Sequence, residues 1–211
     1  MDLHNIRESY NFDSLDTDKV NQNPMVQFQN WFEEYKKLGI KDYNAMAVST
    51  VNSGVPESRI VLLKEIQEQG FVFYTNYASA KGKALAENPN ISALFFWREQ
   101  ERQVRITGRI EKIATTQSKE YFETRPYLSQ IGAAASEQSA PIDSREALES
   151  KFNAFTTEYP EGSSVPMPES WGGYMIHPTK YEFWQGREGR LHDRLVFTKV
   201  DGDWIIGRIQ P

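Results

Sequence analysis

The sequence predicts a mainly β fold with inserted helices, an α+β architecture organised as one β-barrel. Three observations predict it. Short β-branched and aromatic runs recur from Ala45 to Ile113 and again from Trp171 to Ile209, punctuated by turn signals such as Asn52-Ser53-Gly54 and Asp201-Gly202. The links between neighbouring runs are turns rather than crossover helices, so the strands should run antiparallel and close on themselves wholly or in part. Between the two strand regions, residues 116–159 read as helical.

The elements follow in order. Residues 1–22 are polar and aperiodic, and read as a flexible N-terminal arm ahead of a single domain over residues 23–211. Asn23-Pro24 opens a helix with proline at a tolerated first position. Phe28, Trp31, Phe32, Tyr35 and Leu38 follow at helical spacing as core, and Gly39 ends it. Strands are expected over Ala45–Val51, Arg59–Lys64 and Phe71–Thr75, then a short helix over Ala80–Glu87 stopped by Asn88-Pro89. Ile91–Trp97 and Arg102–Ile113 form a second strand pair. In the helical middle, Asp143 with Glu146 three residues later resembles a capping box. Pro160, Gly162, Pro166 and Pro168 make a loop, after which strands are expected over Trp171–Ile176, Tyr181–Gln185, Leu191–Lys199 and Trp204–Ile209.

Composition narrows the function classes. The chain has 211 residues, enough for one well-buried unit, and shows neither an internal repeat nor a linker signature. With 39% hydrophobic and 13% aromatic residues it is globular rather than disordered. A net charge of −5 gives no electrostatic case for nucleic-acid binding, so an anion held by local basic clusters should be small. There is no cysteine, which excludes disulfides, thiol nucleophiles and cysteine-ligated metals. Met1 is followed by Asp2 and His4 instead of a basic and then apolar leader, and no window approaches the ~20 apolar residues of a membrane span. The expectation is a cytoplasmic protein without membrane or nucleic-acid partners.

Candidate chemistry sits where strands carry charge. Trp184-Gln185-Gly186-Arg187-Glu188-Gly189-Arg190-Leu191-His192-Asp193-Arg194 gathers three of the arginines and one of only three histidines. If residues 190–194 are extended, Arg190, His192 and Arg194 share a face and repel one another unless something anionic or electron-rich lies against them. A solvated basic edge strand gives the same pattern, so this stretch alone leaves both readings open. Arg59-Ile60-Val61-Leu62-Leu63-Lys64 is an apolar strand bracketed by cations, and burying either unpaired costs several kcal/mol. Tyr74-Thr75-Asn76 leads through Ser79 to Lys81 at a helix N-terminus, where backbone N–H groups favour anions. Gln103 and Arg105 share a strand face, and an amide there can read the edge of a planar heterocycle. Tyr121, Arg125 and Ser129 recur at steps of four and form a reasonable phosphate clamp, if Pro126 turns a corner that lets them converge. Gln138-Ser139 adds neutral donors. His4 and His177 are not at metal-ligand spacing and read as structural; no Ser-His-Asp order, HExxH or Gly-rich phosphate loop is visible, and no metal is expected.

Taken together and in this order, these blocks resemble the pyridoxine/pyridoxamine 5′-phosphate oxidase family over nearly the whole chain. The carriers are Arg59–Lys64, Phe73-Tyr-Thr-Asn76, Glu101-Arg-Gln-Val104, Tyr121-Phe122 with Arg125-Pro126, Ser129-Gln-Ile-Gly132, Gln138-Ser139, Trp171-Gly172-Gly173, Phe183-Trp-Gln-Gly186 and Arg190-Leu-His-Asp-Arg194. The resemblance implies an FMN-binding split β-barrel and a homodimer with FMN at the subunit interface. It implies FMN-dependent oxidation of pyridoxine or pyridoxamine 5′-phosphate to pyridoxal 5′-phosphate, with O2 reduced to H2O2. By the same resemblance Arg59, Lys64, Tyr74, Thr75, Lys81, Gln103, Gln138, Ser139, Trp184 and Arg194 hold FMN. Arg7, Tyr10, Lys64, Tyr121, Arg125, Ser129, Arg190, Leu191 and His192 bind the vitamer, with Arg190 and His192 as the catalytic pair over its ring. One position departs: the family's Ser-Arg-Lys is Ser79-Ala80-Lys81 here, and Lys83 is the expected partial substitute. The alternatives kept open are a split-barrel flavin reductase or oxidase with another substrate, and a non-catalytic carrier of pyridoxal phosphate or flavin.

Overall fold

Aromatic side chains at helical spacing in one element and at alternating positions in several strands converge on one core. The computed structural model describes residues 1–5 and 8–211; Ile6 and Arg7, and with Arg7 its expected role, lie outside the described residues. Helix α1 (Pro24–Lys36) starts at Asn23, whose side chain accepts from the Met25 N–H, and buries Phe28, Trp31, Phe32 and Tyr35. Phe28 is fully enclosed, with its ring within 5.7 Å of those of Phe32, Phe71, Phe95 and Trp97. Leu38, expected in the same stripe, lies past the helix end and is exposed.

The strands are β1 (Ala45–Asn52), β2 (Val55–Leu62), β3 (Glu65–Gln67), β4 (Gly70–Asn76), β5 (Asn90–Trp97), β6 (Arg102–Lys112), β7 (Trp171–Gln185), β8 (Asp193–Val200) and β9 (Asp203–Arg208). All pair antiparallel, in the order β2-β1-β5-β6-β7-β4-β3, with β8 added to β7 and β9 to β8. The two ends of that order are one run of chain, because only Leu63 and Lys64 separate β2 from β3. Leu63 N–H donates to Asn44 O ahead of β1, while Lys64 N–H donates to Val72 O of β4. The sheet thus closes through a strand broken at Leu63-Lys64, which hands its pairing from one neighbour to the other.

Strand β7 is a single strand where the sequence reading expected two. It pairs with β6 along most of its length, with β4 at residues 171–176 and with β8 at residues 180–185. A register shift opposite Thr107 and Gly108 absorbs Pro178, which cannot donate to the ladder. A Cβ on Gly108 would lie 2.2 Å from the His177 carbonyl oxygen, so only glycine lets the strands meet there. Inside the barrel Val48, Phe71, Phe73, Phe95, Val104, Ile106, Phe183 and Leu195 are all essentially inaccessible to solvent.

Helix α2 (Ala80–Glu87) follows β4, and the helical middle resolves into α3 (Thr115–Thr124), α4 (Tyr127–Ala135) and α5 (Arg145–Glu158). The cap of α5 is Ser144, which accepts from Ala147 N–H at 3.1 Å, not Asp143. Phe122, Ile131, Val165 and Trp171 form a second apolar cluster under these helices. The segment expected as an arm contributes Leu15 and Val20 to the main core. Strand β8 begins only at Asp193: Glu188–Arg190 is one 3-10 turn with Gly189 at φ +63° and Arg190 at φ +62°. The even alternation expected for Arg190, His192 and Arg194 therefore fails, since two consecutive left-handed residues turn the chain before the strand starts. Among the described residues no helix is long and apolar enough to cross a membrane.

Because Phe28 joins α1 to β4 and β5 of the barrel core, Phe28→Ala should lower unfolding free energy by about 3–5 kcal/mol, whereas Leu38→Ala should change it by less than about 0.5 kcal/mol. Urea titration of both variants measures this, and similar midpoints would show that α1 is not part of the cooperative core.

Candidate active site

A cavity of about 1010 Å³ opens between β2, β4, the start of α2 and the corner joining α3 to α4. Its lining includes Arg59, Lys64, Tyr74, Thr75, Lys81, Tyr121, Arg125, Ser129, Gln138 and Ser139, so ten of the sequence-predicted residues meet in one place. Pro126 stands between α3 and α4 as the start of the second helix. That corner is what brings Tyr121, Arg125 and Ser129 round to one cavity.

The floor is cationic. Lys81 is buried, and its Nζ donates to Thr75 Oγ1 at 2.9 Å, Gln138 Oε1 at 2.9 Å and Ser79 Oγ at 3.3 Å. Every acceptor it reaches is neutral. Burial, and then the nearby charge of Arg59, push its pKa down from the usual 10.5 to about 8. Ser79 caps α2 by accepting from Gly82 N–H, which aims the helix N-terminus at the same region. Arg59 is held by Thr50 Oγ1 and the Glu57 carboxylate. Ala80 lines the cavity, while Lys83 is exposed and does not, so the expected substitution by Lys83 is not made. Ser139 takes φ +71°, a conformation that costs a non-glycine residue energy and turns the Gln138-Ser139 segment onto the cavity mouth.

The wall is aromatic. Tyr74 stacks on Tyr121 with centroids 3.9 Å apart and lies nearly parallel to Trp171 at 5.4 Å. Burial, and then the hydrogen bond to Glu65, raise the Tyr74 pKa, so the phenol keeps its proton and donates it to Glu65 Oε1 at 2.6 Å. Arg125 lies over Trp171, 4.9 Å from the ring centroid, and one of its buried guanidinium nitrogens, NH1, has no hydrogen-bond partner. Burial lowers its pKa. A charged donor buried without an acceptor is costly, and here it lines a cavity that already holds Lys64, Tyr121 and Ser129. Trp171 and Glu65 were given no role by the sequence reading. Trp171 had a signal in the following glycines: a Cβ at Gly172 or Gly173 would meet Tyr77 at 2.2 Å or Ile113 at 2.4 Å.

The remaining predicted residues lie elsewhere on the protomer. Gln103, Trp184 and Arg194 are register partners across β6, β7 and β8, so they form one row on the outer face of the sheet. Their neighbours Val104, Phe183 and Leu195 form the matching inner row and are fully buried. Arg194 is paired with Glu182 at 2.7 Å. Tyr10, Arg190 and His192 line a second cavity of about 790 Å³, and Leu191 is exposed. His192 Nδ1 accepts from Arg187 N–H at 3.1 Å, which leaves the imidazole hydrogen on Nε2. Burial, and then Arg190, lower the His192 pKa, favouring this neutral ring, which lies 4.6 Å from Trp184.

Comparisons with known proteins bear on the family and the fold. Residues 32–158 match the family model described as pyridoxamine 5′-phosphate oxidase, and residues 171–211 match the model described as the pyridoxine 5′-phosphate oxidase C-terminal dimerisation region. A protein of Actinobacillus pleuropneumoniae named pyridoxine/pyridoxamine 5′-phosphate oxidase is 48% identical over 211 residues, covering all of both chains. One of the same name from Rhodopirellula baltica is 45% identical over 99% of this chain and 96% of its own. Among solved structures, PhzG from Burkholderia lata, in complex with tetrahydrophenazine-1-carboxylic acid, superposes with a TM-score of 0.88 at 28% identity, covering 94% of this chain and 98% of its own. A Nostoc punctiforme protein described as pyridoxamine 5′-phosphate oxidase-related and FMN-binding shares the fold with a TM-score of 0.73 at 13% identity, covering 91% of this chain and all of its own.

Lys81 supplies a test of the cationic floor. A lysine whose pKa is lowered by folding makes the ligand-free protein less stable as pH falls through about 8, and more stable as pH rises toward the usual 10.5. Wild type should therefore gain thermal stability relative to Lys81→Met between pH 7 and 10, and added inorganic phosphate at pH 7 should raise the wild-type midpoint more than the variant's. A midpoint difference that ignores both pH and phosphate would contradict this assignment.

Proposed function

The chain belongs to the pyridoxamine 5′-phosphate oxidase family, and from that premise we infer that it oxidises pyridoxine 5′-phosphate or pyridoxamine 5′-phosphate to pyridoxal 5′-phosphate in vitamin B6 metabolism. One observation carries the reading: two sets of side chains whose chemistry suits a phosphate, Arg59 with Lys81 and Tyr121 with Arg125 and Ser129, line one cavity of about 1010 Å³. That volume lies at the upper end of ordinary ligand sites, so it has room for two phosphorylated molecules.

The residues fit a flavin cofactor, which we take to be FMN. Its phosphate would be met by Arg59, Lys81, Thr75 and the start of α2, with Gln138 and Ser139 at the mouth. When bound, the flavin supplies the redox chemistry, taking two electrons from the exocyclic carbon of the vitamer and passing them to O2 to give H2O2. With the amine vitamer, water is consumed and ammonia released as the aldehyde forms.

The protein's own part is binding and orientation. Arg125 would direct its unpartnered NH1 at the vitamer phosphate, joined by Lys64, Tyr121 and Ser129, which makes the phosphate a handle remote from the reacting carbon. Arg190 would steady charge on the pyridine ring. His192, with its hydrogen on Nε2, would donate to the ring's polar substituents, and Tyr10 packs edge-on against it at 5.7 Å.

We propose that the working form is a homodimer with FMN at its interface. The support is that the site is divided: Gln103, Trp184 and Arg194 occupy an outer sheet face away from the Arg59–Lys81 cavity, on strands that include the matched dimerisation region. On the same face Phe96, the register partner of Gln103, is exposed, as an interface residue would be. On this reading each cavity is completed by the other subunit, residues 23–211 act as one domain, and residues 1–22 form an arm, anchored in the core by Leu15 and Val20, that closes the site. A flavin enzyme acting on another substrate would have no use for the Tyr121, Arg125 and Ser129 group.

Purified protein supplied with FMN should consume oxygen and form aldehyde with at least one of the two vitamers, read with an oxygen electrode; none with either would overturn the function. Arg190→Ala should cut turnover by about 100-fold or more while FMN stays bound, the scale of losing charge stabilisation in a reaction's transition state. The same substitution should raise the His192 pKa, visible by NMR titration, because a neighbouring positive charge is gone.

A further inference from the structure

Arg102 carries a full charge into the end of the barrel, with its side chain only 5% exposed. Its Nε donates to Gln185 Oε1 at 2.9 Å, and its two terminal nitrogens reach Glu34 Oε2 at 2.5 Å and Asp13 Oδ2 at 3.0 Å. The guanidinium plane rests on Trp31, 4.3 Å from the ring centroid, with Phe12 at 5.5 Å. One cation thus ties together α1, the end of β7 and the N-terminal segment.

A buried arginine needs one carboxylate to balance it, and Glu34 provides that from α1. Asp13 is a second carboxylate, 48% exposed, brought in by the N-terminal segment. Neutralisation does not require it, so its effect falls on the segment that carries it. Around it the segment is held in register: Phe12 N–H donates to the Glu101 carboxylate at 2.9 Å, and Gly186 N–H donates to Glu101 O at 2.8 Å. A Cβ on Gly186 would come within 2.8 Å of Tyr10 Cβ and Cγ, so the tyrosine is seated directly on the strand end that precedes the Arg187–His192 loop. From that seat its ring meets Trp184 at 5.9 Å and His192 at 5.7 Å.

We propose that Arg102, through Asp13, is a positioning residue that seats Tyr10 over His192 and so sets affinity for the phosphorylated vitamer without taking part in the chemistry. The inference rests on the functional reading above, which makes Tyr10 and His192 the vitamer's contacts. Alternation along this strand singles out Gln103 and Arg105, while Arg102 faces the other way and is buried.

The test is Asp13→Asn in the FMN-loaded enzyme, a variant that leaves Arg102 paired with Glu34. KM for pyridoxine 5′-phosphate should rise about fivefold, the scale of one partly exposed charged hydrogen bond, with kcat and the thermal midpoint nearly unchanged. In a Tyr10→Ala background the same substitution should leave KM where Tyr10→Ala alone puts it, because both act on one contact. Limited proteolysis within the first twenty residues should also become faster in Asp13→Asn, a readout that needs no turnover. An unchanged KM, additive effects with Tyr10→Ala, or a parallel fall in kcat, flavin content and thermal midpoint would each overturn the proposal. If wild type turned over neither vitamer, the functional reading would fail instead, while unaltered proteolysis in Asp13→Asn would separately sink the anchoring role.

Discussion

The barrel interior is filled by its own side chains, and the rest of the structure depends on that constraint. Phe71, Phe73, Phe95, Val104, Ile106, Phe183 and Leu195 fill the lumen, and α1 closes it with Phe28, Trp31 and Phe32. A small barrel filled by side chains cannot also hold a ligand there. Polar chemistry is therefore displaced to the outer face, the strand ends and the inserted helices. The row Gln103–Trp184–Arg194 is the outer counterpart of the buried row Val104–Phe183–Leu195, so the same alternation that packs the core also presents a polar row outside it. A binding surface on the outside of a sheet needs a second wall. The α3–α4 corner provides one for the Arg59–Lys81 cavity, and a second subunit is the natural source of one for the row on β6, β7 and β8.

Electrostatics then selects what the cavity can take. An acidic protein has carboxylates in excess, yet Lys81 is surrounded by hydroxyl and amide oxygens, and NH1 of Arg125 has no acceptor. Arg102 and Arg208 show the contrast, since each is bound to two carboxylates. Cations that serve the fold are neutralised by the chain, and those facing the cavity are left for something else to neutralise. Arg59 and Arg194 fall between, each paired with one glutamate, so an anionic ligand would have to compete with Glu57 and Glu182 for them.

Much of this was legible in the sequence because it rests on local chemistry. The α1 stripe, the two strand regions, the turns and the helical middle follow from periodicity and from Gly, Pro and Asn punctuation. What was not legible came from tertiary context. Pro178 reads as a strand end, but the bulge opposite Thr107 and Gly108 carries β7 through it. The run Arg59–Lys64 reads as one strand, but its pairing passes from β1 to β4 at Leu63-Lys64. Arg190 reads as extended, but neighbouring Gly189 lets the chain take a left-handed turn. Ser144 outcompetes Asp143 as a cap by a one-residue offset that propensity alone does not resolve. Of the candidate site, the block resemblance named the residues and the fold gathers ten of them in one cavity, while Gln103, Trp184 and Arg194 stand apart from it on the outer sheet face.

Gln138 shows how a buried cation is satisfied without being neutralised. Its amide oxygen accepts from both Lys81 and Thr75, standing where an anionic oxygen would be met, and it sits on a mouth segment whose next residue, Ser139, holds a strained φ. An amide can offer its oxygen to a cation and, after rotation, its N–H2 to an anion. Arginine or lysine at that position would repel Lys81, and glutamate would neutralise it permanently and compete with any phosphate. Glutamine satisfies the buried lysine without removing its charge, which keeps the floor of the cavity cationic.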